Sequence, residues 1–78
     1  MNGAAPGPAA AEWQLRAAEA RTARQTALVE RYEAAGDEKE AEHARELLAL
    51  LHVGLTLARL WLAVELASPD NEPSRRIP

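Results

Sequence analysis

The 78-residue sequence contains no cysteine, which excludes disulfides and fits a reducing compartment. It also has no basic cluster, and with a formal net charge of -3 it lacks the positive footprint that nucleic-acid binding requires. The opening residues, MNGAAPGPAAAEW, have neither the charged region nor the leucine-rich region of a secretory signal. We therefore expect a cytoplasmic protein that does not bind nucleic acid.

Catalytic patterns are missing as well. The sequence shows no paired nucleophile and base, no glycine-rich phosphate loop and no pair of catalytic carboxylates. We therefore expect a non-enzymatic protein without a cofactor. A chain of this length buries only about 60% of its unfolded surface, so its own core is marginal and oligomerisation is a common remedy.

What the chain does have is a leucine-rich stretch from Leu47 to Leu66. On a helical wheel its apolar residues cover an arc of roughly 240°. A surface helix with one buried side needs an apolar stripe of only about 100°. This helix must therefore be covered on more than one side.

The chain divides into two helices with flexible ends. Residues 1–8 form a Gly, Ala and Pro arm, and the Ala, Glu, Arg and Gln that follow predict helix 1 from about 9 to 35. Helix 2 is predicted from about 38 to 67, because the residue before a proline avoids the helical region. The polar, proline-rich tail over 68–78 is predicted to be disordered.

A tight turn at 36–37 joins the two helices. Gly36 accepts the left-handed conformation that closes a helix, Asp37 is a good N-cap, and Glu40 completes a capping box. Helices joined by so short a turn lie antiparallel. The fold class is therefore all-α: a two-helix antiparallel hairpin, expected to dimerise into a four-helix bundle.

Residues spaced three and four apart predict the hairpin core. Pairing positions about the turn sets large residues on one helix against small ones on the other, as interdigitated packing requires. The predicted core consists of Leu15, Ala18, Thr22, Gln25, Val29 and Tyr32 on helix 1, and Ala41, Ala44, Leu48, Leu51, Leu55 and Ala58 on helix 2. Gln25 in this line has two interpretations, a hydrogen bond to its counterpart in another chain that fixes register, or a solvent contact.

A second apolar line on helix 2 remains uncovered by helix 1. It runs through Leu47, Leu50, Gly54, Leu57, Trp61 and Val64. Leaving it in water would forfeit on the order of 10 kcal/mol, which is comparable to the whole stability of a small domain. We therefore predict an interface here, for self-association or for a larger protein partner. Gly54 with Ala58 would let another backbone approach closely.

Two further patterns have alternative interpretations. Trp13 and Trp61 are both placed at the open end of the hairpin, where they would close the core or bind a ligand. Arg45, His52 and Arg59 recur every seven residues. They would form either a binding site for an anion or a partner's carboxylate, or the solvated face of the helix.

A metal site is the first alternative function. Glu40 and His43 form an E-x-x-H pattern, the spacing by which one helix offers a carboxylate and an imidazole to a di-iron or di-manganese site. The surrounding run EKEAEHARELL is locally similar to the metal-ligating helix of two-helix, encapsulated ferritin-like proteins. Glu40 is also explained as a capping residue, so we predict no metal, with Glu40 and His43 as the candidates to test.

Membrane association is the second alternative. The leucines of helix 2 each favour insertion by roughly 0.3 to 0.6 kcal/mol, but Arg59 near the centre costs about 2.5 to 3.5 kcal/mol. The net free energy of inserting helix 2 into a membrane is therefore near zero. We therefore rank the membrane below a protein partner.

The chain from Leu15 to Leu51 resembles a group of short uncharacterised bacterial proteins, common in alphaproteobacteria. The pattern is an Arg-Gln and an apolar pair, then a glycine turn, then an alanine and a Leu-Leu, here Arg24, Gln25, Leu28, Val29, Gly36, Ala41, Leu47 and Leu48. The resemblance implies a helical hairpin in a bacterial cytoplasm and carries over no site. Thr22 departs from the group, where an aliphatic residue is usual.

Overall fold

The chain forms two α-helices that pack against each other. The computed structural model describes residues 7–67, with α1 spanning Pro8–Ala35 and α2 spanning Glu38–Ala67. Pro8, the last residue of the predicted arm, is the first residue of α1. Its fixed φ suits the first turn of a helix, where a missing N–H is no loss. Residues 1–6 of the predicted arm and the predicted tail over 68–78 lie outside the described residues.

The two helices are joined through Gly36 in the left-handed conformation, with φ of 78° and ψ of 14°. The Gly36 N–H donates to the carbonyl oxygen of Glu33 at 3.1 Å, and the Asp37 N–H donates to that of Tyr32 at 3.0 Å. These are the two bonds of a Schellman motif, which satisfies carbonyls left open at the end of a helix. The predicted turn is therefore built from backbone geometry at Gly36.

The interface between the helices is lined mainly by small side chains. Six apolar residues of the described chain are buried, and four of them are alanines: Ala11, Ala18, Ala41 and Ala44. Val29 and Leu55 are the two larger ones. Thr22 is buried with them, and its hydroxyl donates to the carbonyl oxygen of Ala18 at 2.8 Å. The helices approach closely but bury little large apolar surface.

Every residue assigned to the hairpin core from the sequence is buried or half-buried. The buried ones are Ala18, Thr22, Val29, Ala41, Ala44 and Leu55, and the half-buried ones are Leu15, Gln25, Tyr32, Leu48, Leu51 and Ala58. Ala11, which extends the same line toward the N-terminus, is fully buried. The three-and-four spacing thus identifies the sides of the helices that face each other.

Two polar contacts cross between the helices. The Gln25 side-chain amide donates from Nε2 to the main-chain oxygen of Ala44 at 3.0 Å. Nearer the turn, Arg45 Nη1 lies 2.7 Å from Glu33 Oε2, with both side chains about half exposed. An exposed ion pair of this kind contributes only about 0.2 to 1 kcal/mol. Both contacts join the half of α1 nearer the turn to the half of α2 nearer the turn, as antiparallel helices require.

Candidate interaction surface on helix α2

The large apolar side chains of α2 are mostly exposed. Seven aliphatic residues of this helix keep more than half of their surface in solvent: Leu47, Leu50, Val53, Leu57, Leu60, Val64 and Leu66. In the hairpin core only Val29 and Leu55 are both large and buried. The described hairpin thus exposes more large aliphatic side chains than it buries, which is unusual for a chain that folds alone.

Five of these residues form one continuous line, here called the outer stripe: Leu50, Val53, Leu57, Leu60 and Val64. Their exposed fractions lie between 55% and 68%. They follow one another at alternating intervals of three and four, which is the apolar repeat of a coiled coil. The outer stripe therefore has the spacing that packs against another helix.

The outer stripe differs in part from the interface predicted from the sequence. Leu47, Leu50, Gly54, Leu57 and Val64 of that prediction are exposed. Trp61 is half-buried instead, and its indole Nε1 donates to Glu65 Oε2 at 3.2 Å within the same helix.

Val53 and Leu60 are exposed members of the outer stripe that are not part of the interface predicted from the sequence. Their three-and-four spacing with Leu50, Leu57 and Val64 is a signal that was available in the sequence. On a helix with so wide an apolar arc, several such lines can be drawn. Which line stays exposed depends on the direction from which α1 covers the helix.

The positions beside the outer stripe carry no charge. Leu47, Gly54 and Trp61 lie along one flank, and Ala49, Thr56 and Ala63 lie along the other. Two-stranded coiled coils usually place Glu and Lys at such flanking positions, where they remain in solvent. Uncharged flanks suit burial among more than two helices. At Gly54, an added Cβ would meet nothing within 4 Å, so the hairpin leaves open space at that flank.

Gln25 makes a contact within the hairpin, and Trp13 lies elsewhere than the sequence predicted. Gln25 donates from its side-chain amide to the main-chain oxygen of Ala44 across the hairpin. Trp13 was expected to close the core together with Trp61, but 65% of its surface is exposed. It lies on the side of α1 that faces away from α2, because it is two positions from buried Ala11 and helical neighbours two apart point in different directions.

The Arg and His side chains that recur every seven residues on α2 lie on a separate, solvent-exposed strip. Arg45, His52 and Arg59 are all exposed. Arg45 pairs with Glu33, so its charge is already partly balanced within the chain. This arrangement matches the solvated-face interpretation of the three residues.

Glu40 and His43 are both exposed and both line a shallow groove between the helices. Gln25, Leu28, Tyr32, Ala44 and Leu47 line the rest of it. Within residues 7–67, no group of three or more His, Cys, Asp or Glu side chains is placed to hold a metal ion. Glu40 and His43 therefore provide two donors per chain, and a ferritin-like site would require the rest from elsewhere.

By length and composition alone, α2 is also apolar enough to cross a membrane. Only 6% of its most apolar window is buried inside the hairpin. The core helix of a soluble protein passes the same test of length and composition but is mostly buried. Because α2 is so little buried, its exposed apolar surface needs a second layer in contact with it. Either helices of another protein or lipid would supply that layer.

Comparison of the chain with protein-family models, with curated proteins and with solved structures finds no match. The resemblance to the short bacterial proteins therefore stays a prediction.

Proposed function

We propose that this chain is a non-enzymatic helical interaction module that self-associates through the outer stripe of α2. Two hairpins related by a twofold axis would bury their stripes against each other and form a four-helix bundle. The observation that carries the proposal is the imbalance between buried and exposed aliphatic side chains. Most large apolar groups of α2 point away from α1.

The energetics favour covering the outer stripe. Fully burying a Leu or Val side chain is worth roughly 1.5 to 3 kcal/mol, and these residues are still more than half exposed, so each retains about 1 kcal/mol. Ten such side chains in a dimer supply on the order of 10 kcal/mol. Association costs an estimated 4 to 15 kcal/mol, so the stripe is of the size needed for a dimer.

A second copy of the same chain is the partner that we propose for the outer stripe. A twofold interface requires one patch to complement itself, and a line of aliphatic residues at coiled-coil spacing does so. The uncharged flanks of the stripe would be buried without leaving unpaired charges. We propose the cytoplasm as the location, as the cysteine-free composition suggested.

The experiment compares two leucines of α2 that differ in position but hardly in exposure. Leu57 lies in the outer stripe and is 59% exposed, whereas Leu66 is 63% exposed and lies on another side of the helix. Leu57→Gln is expected to weaken self-association at least about tenfold, equal to about 1.4 kcal/mol. Leu66→Gln is expected to change it by less than about threefold.

Sedimentation velocity would measure association, and circular dichroism would check that both variants stay helical. Glutamine forms helices nearly as well as leucine, so the substitutions spare the helix itself. Equal effects of both variants would indicate non-specific adhesion and would contradict the proposal. An associated Leu57→Gln variant with wild-type affinity would contradict it as well.

Membrane association is the second candidate, favoured by the low burial of α2. It predicts that the chain floats with lipid vesicles in a density gradient, whereas the bundle proposal predicts that it stays in the dense fraction. The metal alternative predicts iron or manganese in the purified protein that is lost in His43→Ala. Flotation with vesicles would replace the bundle proposal, whereas bound metal lost in His43→Ala would give the bundle a metal-binding function instead.

A further inference from the structure

We infer that two copies pair antiparallel, so that the turn of one hairpin lies at the open end of the other, with Glu46 as the residue that sets this orientation. The inference rests on the proposed self-association and adds the direction of pairing. It follows from how charge is distributed along the hairpin.

The turn end of the hairpin is strongly acidic. Residues 30–46 carry seven acidic and three basic side chains, a formal net charge of -4. The remaining described residues, 7–29 and 47–67, carry three acidic and four basic side chains, a net charge of +1. Parallel pairing would place two acidic ends side by side. Antiparallel pairing moves the two acidic ends to opposite ends of the pair, so it avoids the like-charge contact that disfavours the parallel orientation.

Glu46 lies in line with the outer stripe. It precedes Leu50 by four residues, so it continues the alternating three-and-four intervals one step toward the turn. Its side chain is exposed in the hairpin. In a parallel pair the two Glu46 carboxylates would face each other at a core position, where like charges repel and a single polar residue sets the arrangement of helices.

Antiparallel pairing avoids that contact. The alignment that uses the whole stripe sets Leu57 opposite Leu60 of the second copy, and Val53 opposite Val64. Leu50 then lies opposite Ala67, the last residue of α2. Glu46 falls beyond that residue and lies outside the apolar layers. All five stripe residues are thereby buried without any carboxylate among them.

Distances between spin labels measure the orientation directly, because the chain has no cysteine and a single substitution gives one label per copy. Ala27 is exposed on α1, and the Gln25–Ala44 and Glu33–Arg45 contacts together place it about level with Glu46, one step before the stripe. Labels at Ala27→Cys should lie about 40 Å apart along the axis of an antiparallel pair, given a rise of about 1.5 Å per residue. A parallel pair would hold them at one level, within about 30 Å, given helices spaced about 10 Å apart.

Gln14 provides the control position. It is exposed on α1 and level with the middle of the stripe, so labels at Gln14→Cys should give similar distances in either orientation. A long distance at Ala27 with a shorter one at Gln14 supports the inference. Equal, short distances at both sites would overturn the antiparallel orientation and leave self-association standing. No intermolecular distance at either site would overturn the proposed function itself.

The role of Glu46 is tested by Glu46→Leu in the Ala27→Cys background. Leucine extends the stripe toward the turn and removes the facing carboxylates, so a short-distance population should appear beside the long one. Glu30→Leu is the matched control, because it removes one exposed carboxylate from the same acidic end but outside the stripe. An unchanged distance distribution in Glu46→Leu, or the same change in Glu30→Leu, would overturn the assignment of Glu46.

Discussion

The side-chain amide of Gln25 donates a hydrogen bond to the main-chain oxygen of Ala44 on the facing helix, at 3.0 Å. A carbonyl oxygen has two lone pairs, so Ala44 can accept this bond in addition to its bond within α2. The small side chain of Ala44 leaves room for the amide to reach the backbone. The Gln25–Ala44 bond thus links the two helices within one chain.

Replacing Gln25 by alanine should lower the free energy of unfolding by about 1 kcal/mol, the net value of a typical intramolecular hydrogen bond. Urea denaturation followed by circular dichroism, at one fixed protein concentration, measures the change. Gln14→Ala is the control, since Gln14 is an exposed residue of the same helix. Equal effects of the two substitutions would show that the Gln25–Ala44 bond does not stabilise the hairpin.

Replacing Gly36 by alanine should destabilise the hairpin. Gly36 has a φ of 78°, and a residue with a Cβ in this left-handed region costs roughly 1 to 2 kcal/mol. Nothing lies within 4 Å of the added methyl group, so the cost comes from backbone conformation alone. Urea denaturation should show an earlier midpoint with an unchanged slope. A midpoint at or above that of the wild type would contradict the left-handed turn.

Replacing Gly54 by alanine should instead stabilise the hairpin. Gly54 lies inside α2, where alanine is favoured over glycine by about 0.8 to 1.0 kcal/mol, and no atom of the hairpin blocks the added Cβ. We expect a later denaturation midpoint and retained self-association. Weaker association in Gly54→Ala would show that the backbone of a second copy approaches this residue closely.

Thr22→Val should leave stability within about 1 kcal/mol of the wild type or raise it. The Thr22 hydroxyl bonds to the Ala18 carbonyl of its own helix, so its removal leaves no buried donor unpaired. Valine has the same shape and adds apolar surface to the buried position. Thermal unfolding measures the change. A loss of more than about 2 kcal/mol in the free energy of unfolding would show that the hydroxyl makes a further stabilising contact in the core.

The two-helix fold was predictable because its main signals are local. Gly36 ends a helix for reasons of backbone geometry, and the three-and-four spacing of residues such as Ala18, Val29 and Leu55 identifies the inner faces. The structure confirms an all-α chain of two helices packed against each other.

The details of the outer surface were harder to predict. On a helix that is apolar over most of its circumference, lines through Gly54 and Trp61 or through Val53 and Leu60 both have helical spacing. Trp61 turns toward Glu65 and becomes half-buried, which periodicity does not reveal. The exposure of Trp13 likewise depends on which side of α1 meets α2. Such choices arise from tertiary packing, which a single sequence encodes only indirectly.

The mass of the 78-residue chain in solution tests the central claim most directly. Sedimentation equilibrium over a range of micromolar concentrations, without detergent, should give twice the chain mass of 8.5 kDa, and the mass should fall toward one chain on dilution. A mass of one chain across the whole range, with the helices intact by circular dichroism, would contradict self-association through the outer stripe.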